Sequence, residues 1–107
     1  QKIPERIWDA GLPVLDDLHT DSYAWKELGP KKANTIEFLR TMKPGVTKFI
    51  VHCTRPTEEF AQITPSGPLR LADLEVMLDP EIKQIIQEEG IILSTWRELK
   101  ERRDALK

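Results

Sequence analysis

His52 and Arg55 stand three residues apart at the end of an apolar run, Lys48-Phe49-Ile50-Val51-His52-Cys53-Thr54-Arg55-Pro56. An imidazole can act as general acid or base near neutral pH, or bind a metal. An arginine three residues on can hold an anion or a carboxylate. Both types also have commoner duties: a histidine after an apolar run usually packs, and a loop arginine is usually solvated. Cys53 between them reads better as a small buried hydrophobe than as a nucleophile.

The remaining chemical candidates are weaker. His19 sits among Asp16, Asp17 and Asp21. The spacing matches no closed zinc pattern, and the glycine turn and final glutamate of a calcium loop are missing. A polar loop over 16–22 is the preferred reading. Arg70 and Asp73 are three apart on an expected helix and read as partners of each other. There is no GxSxG elbow, no glycine-rich phosphate loop and no pair of histidines at helical spacing. Trp8, Trp25 and Trp96 are scattered, which suits core packing rather than a stacking platform.

The elements that must position these residues follow from periodicity and punctuation. Residues 46–51 are β-branched and aromatic and predict a buried strand, which presents His52 and Arg55 at its C-terminal edge. In open α/β sheets and in barrels that edge binds ligands. Before it, 3–10 predicts a short helix stopped by Gly11, and 12–15 a short strand. A helix over 30–42 turns Ala33, Ile36 and Leu39 inward, with Phe38 and Met42 beside them, and Lys31, Lys32, Glu37 and Arg40 to water. After the strand, 54–68 reads as a long loop of the kind that forms lids or binding loops. A helix over 69–78 follows. Asp79-Pro80-Glu81 then restarts a helix with a capping aspartate and a proline in the first position. Gly90 ends it, 91–93 predicts a third strand, and Thr95 to Glu98 is a capping box opening a last helix.

Helices alternating with short strands imply a parallel sheet with helical crossovers, hence an α/β fold. Three short strands make a poor independent sheet. Residues 1–107 therefore read as a single piece: the closing βα units of a larger doubly wound sheet or barrel. Gln1 in place of a start methionine agrees with that expectation.

The totals bound the function. The 107 residues allow one small domain; 39% hydrophobic and 32% charged residues suit a folded chain rather than a disordered one. Sixteen basic against eighteen acidic residues leave a net charge of -2, which argues against a nucleic-acid partner. No apolar run approaches the roughly 18–20 residues of a membrane span, and 1–4 begins no signal peptide. The single cysteine fits a reducing compartment, so a cytoplasmic location is expected.

Several short motifs, in order, resemble the C-terminal region of the YdjC-like carbohydrate deacetylases, a group that includes chitooligosaccharide and diacetylchitobiose deacetylases. They are Gly11-Leu12-Pro13-Val14-Leu15-Asp16, Pro44-Gly45-Val46-Thr47, Phe49-Ile50-Val51-His52, Arg70-Leu71-Ala72-Asp73-Leu74-Glu75, Leu78-Asp79-Pro80-Glu81-Ile82 and Gly90-Ile91-Ile92-Leu93-Ser94-Thr95-Trp96. The resemblance implies a deformed (β/α) TIM-like barrel that hydrolyses the acetamide of N-acetylated amino sugars. It implies a divalent metal, zinc or magnesium, held in the N-terminal half of the whole protein and not by this chain. It gives His52 the role of protonating the leaving amine, and Arg55 and Arg70 a place at the substrate. The family's His-Pro-Gly is His52-Cys53-Thr54 here, so the local turn differs. Beyond an N-acetylated oligosaccharide, the expected partner is the missing N-terminal half, or a second copy through self-association. The competing expectation is a small non-catalytic α/β interaction module.

Overall fold

The computed structural model describes residues 2–106. In chain order the elements are α1 (Ile3–Asp9), β1 (Asp17–His19), a 3-10 turn (Asp21–Ala24), α2 (Leu28–Thr41), β2 (Thr47–Phe49), α3 (Glu58–Ile63), α4 (Gly67–Leu78), α5 (Pro80–Glu88) and α6 (Trp96–Ala105). The fold is α/β but dominated by helix. Its sheet, among the described residues, has two parallel strands, with Asp17 opposite Thr47, Leu18 opposite Lys48 and His19 opposite Phe49. Helix α2 packs against α4 and α5, and α4 against α5. Ala72, Val76, Ile82 and Ile85 are the buried apolar residues at the centre of that trio.

Helix ends follow the local chemistry. Asp79 accepts the Glu81 N–H at 2.9 Å and caps α5, with Pro80 in the first turn. The Thr95 hydroxyl accepts the Glu98 N–H at 3.2 Å, and the Glu98 carboxylate accepts the Thr95 N–H at 3.3 Å, a complete capping box. Gly90, at φ +66°, closes α5: its N–H goes to the Gln87 carbonyl and that of Ile91 to Ile86.

That closure explains why 91–93 is not a strand. The Ile91 donor is already bonded to α5, Ile92 and Leu93 are each 76% exposed, and the sheet among the described residues pairs β1 with β2 alone. The first strand also lies elsewhere than expected. Residues 12–15 are irregular, and β1 forms in the segment read as a polar loop. Both the Asp16 and Asp17 N–H groups donate to the Val46 carbonyl, and the Asp16 carboxylate accepts the Val46 N–H at 2.7 Å. These bonds start the ladder after the apolar run and override the poor strand propensity of aspartate. Gly45, at φ +129°, lies so close that a Cβ there would sit 2.8 Å from the Asp16 carboxylate. The expected strand over 46–51 shortens to β2, with one further bond from the Ile50 N–H to the His19 carbonyl.

One further element and several burial expectations also change. The long segment 54–68 contains α3, capped by the Thr57 hydroxyl on the Phe60 N–H and carrying Glu58 and Glu59 in its first turn. Lys31 does not face water: it is 1% exposed, while Ala33, expected inward, is exposed. Trp8 and Trp96 are surface residues. Trp8 lies under the Arg103 guanidinium, which also donates to the Trp8 carbonyl and ties α6 to α1.

The chain is loosely drawn together. Its radius of gyration is 16.5 Å, against about 13 Å for a compact domain of this length. Leu18, Ile92, Leu93, Trp96 and Leu106 are among the large apolar side chains left exposed.

Lys31 Nζ meets Asp73 Oδ1 at 2.6 Å with both side chains buried. Asp73→Ala should lower stability by roughly 3–5 kcal/mol, because an unpaired buried charge remains. Urea unfolding of the two proteins checks this, and a loss under about 1 kcal/mol would contradict it. At the surface, Lys32 holds Asp79 and Glu81, each at 2.8 Å. The bonds to Asp79, then Glu81, push the Lys32 ammonium up to about 12. The Lys32 ammonium, then the Glu81 N–H, hold the Asp79 carboxyl below its ordinary 3.8. A lowered carboxyl stabilises the fold above its unfolded pKa and ceases to as pH falls through the folded value. The melting-temperature gap between wild type and Asp79→Asn, which retains a capping side chain, should therefore narrow from pH 6 towards pH 2. A constant gap would contradict the assignment.

Candidate functional site

The segment leaving β2 is held almost residue by residue. The Ile50 N–H donates to the His19 carbonyl at 3.0 Å, and the Ile50 carbonyl accepts from the Ser22 hydroxyl at 2.6 Å. The His52 N–H donates to Asp73 Oδ2 at 2.8 Å, and the Thr54 N–H to the Arg70 carbonyl at 3.3 Å. The strand end is thus fixed from one side by the 3-10 turn and from the other by the first half of α4.

Beneath it lies a buried polar hub. Lys31 Nζ donates to Asp73 Oδ1 and, at 2.8 Å, to the Ser22 carbonyl. Lys31, Asp73 and Ser22 are each no more than 2% exposed. The Thr35 hydroxyl, one turn along α2, bonds back to the Lys31 carbonyl. A buried charge survives only when paired and hydrogen-bonded, and both carboxylate oxygens of Asp73 are used.

The hub presents His52. Its backbone is anchored while its side chain is exposed, and its ring meets that of Tyr23 edge-on at 5.7 Å. An exposed imidazole can give or take a proton at the protein surface. Arg70 approaches through its backbone. Its guanidinium is occupied: Nε donates to the buried Ser66 hydroxyl at 2.8 Å, and the group lies over the Phe60 ring at 5.8 Å. The expected Arg70–Asp73 pair does not form, because Lys31 takes the carboxylate. Arg55 is exposed, and among the described residues its guanidinium makes no ion pair.

Cys53 is exposed rather than buried. Partial burial of the thiol, and then the Asp73 carboxylate, push its pKa up, which disfavours the thiolate a nucleophile needs. His19 packs within an aromatic cluster. Its ring stacks on Phe38 at 4.1 Å and on Phe49 at 4.9 Å, with Trp25 at 5.3 Å. Among the described residues no group of three or more His, Cys, Asp or Glu is placed to hold a metal ion.

Sequence reasoning singled out His52 and passed over its structural neighbours Tyr23, Lys31 and Ser22. Lys31 is marked only by its place on the same helix face as Thr35, and nothing in the sequence announces the other two.

With this geometry in place, one comparison is informative. The chain is similar to a carbohydrate deacetylase of Thermoanaerobacter pseudethanolicus. The two are 26% identical over 96 residues, which is 90% of this chain and 37% of that protein. The chain thus spans little more than a third of the length of the relative it matches. No family model and no solved structure matches it. No helix among the described residues is long and apolar enough to cross a membrane.

The raised thiol pKa predicts slow alkylation. Cys53 should react with iodoacetamide at pH 7.5 more slowly than cysteine in an unstructured peptide. A rate equal to or above the peptide's would contradict the assignment.

Proposed function

We propose that residues 1–107 are a single piece of a carbohydrate deacetylase and supply one wall of its cleft. The observation that carries this is the similarity to a carbohydrate deacetylase across nine-tenths of the chain. The geometry supports it. His52 leaves the C-terminal end of a parallel strand, the edge where α/β sheets and barrels place their ligands. In this reading the two strands belong to a deformed (β/α) barrel completed by other chain segments. The large apolar side chains now exposed, Leu18, Ile92 and Leu93 among them, are the surfaces such segments would cover. A second copy of this chain could cover them instead.

The substrate class is an N-acetylated amino sugar, with an oligosaccharide as the bound partner. Hydrolysis of its acetamide requires a proton on the departing nitrogen. The exposed His52 imidazole is the group of this chain suited to supply it, worth roughly 10²–10⁴-fold in rate. Arg55, exposed on the segment after the strand, is suited to meet polar groups of the sugar. Arg70 is suited to shape the wall, since its guanidinium is engaged by Ser66 and Phe60. A divalent metal, zinc or magnesium, belongs in this reading to residues outside this chain. The lone cysteine suits a cytoplasmic protein.

In the intact protein, His52→Ala should slow deacetylation of chitooligosaccharides by about 10²-fold or more with metal content unchanged. An unaltered rate would remove His52 from the chemistry.

A further inference from the structure

The Lys31–Asp73 pair sits under both segments that carry the exposed rings of the site. Asp73 Oδ2 accepts the backbone N–H of His52 itself, and Lys31 Nζ donates to the carbonyl of Ser22, the residue before Tyr23. The Ser22 hydroxyl closes the circuit on Ile50, two residues before His52. Each charge therefore has one bond to the other charge and one to a ring-bearing segment. The rings that meet above are those of His52 and Tyr23.

We propose that Lys31 and Asp73 are positioning residues, whose buried ion pair sets the His52 imidazole against Tyr23 as two faces of one site. A buried pair gives little net stability compared with apolar groups of the same size. What it does provide is direction, because its hydrogen bonds have fixed partners and angles. The functional weight of this clamp rests on the reading of His52 as the proton donor; the clamp itself does not.

Two measurements on the 107-residue chain test it. In the wild type, the His52 amide should exchange with solvent at least 10²-fold more slowly than an unstructured amide, although it lies beyond the sheet in an exposed residue. Exchange at the unprotected rate overturns the clamp. The double variant Lys31→Met/Asp73→Asn removes both charges without leaving either unpaired. It should abolish the nuclear Overhauser contact between the His52 and Tyr23 rings and shift the His52 ring protons, while the His19–Phe49 contact persists. Ile85→Val, a core change away from the hub, should leave the His52–Tyr23 contact in place. Its persistence in the double variant overturns the proposal, as does equal loss in Ile85→Val. If the double variant does not fold, amide exchange in the wild type decides alone.

In the intact protein the same double variant should lower kcat by about 10²-fold with little change in KM, the scale set by misplacing a catalytic group by about an ångström. If the ring contact behaves as expected and His52→Ala leaves deacetylation unchanged, the functional reading of His52 fails and the clamp stands.

Discussion

One buried ion pair organises this chain. Lys31 on α2 and Asp73 on α4 meet at 2.6 Å, each almost wholly removed from water. Charges in that position are costly unless they are paired and further hydrogen-bonded. Here the partners are the backbone of the strand exit and the carbonyl of the 3-10 turn. The need to satisfy two charges thus draws the helical layer and the sheet layer together at one point. That point is also where the exposed histidine emerges.

Much of the helical framework was legible because it is written in short-range chemistry. Asp79-Pro80, Gly90 and the Thr95–Glu98 box each act within a few residues, and the helices begin and end where those residues stand. The sheet was less legible. β1 has Asp17 and Leu18 exposed and exists because Val46 and Asp16 exchange bonds across 30 residues. Its inward face is aromatic, with His19, Phe38 and Phe49 in mutual ring contact. Residues 91–93 look like a strand by composition alone, but the helix end before them takes the first donor.

The site divides in the same way. His52 could be picked out because an apolar run points at it. Lys31 could not, because a lysine near the start of a helix normally faces water and only a carboxylate 42 residues later reverses that. Helical spacing pairs Asp73 with Arg70, whereas burial favours the longer-range partner Lys31. Tyr23 enters through the 3-10 turn, which no sequence pattern marked.

The separation of those partners along the chain has a kinetic meaning. The helix caps act within a turn and can form in the first moments of collapse, since local contacts close at little entropic cost. The contacts that surround the candidate site join residues 22 and 50, 52 and 73, and 31 and 73. Each must wait for a long loop to close. The helix ends therefore depend on their immediate neighbours alone, whereas the surroundings of His52 depend on segments far apart in the chain being in place together.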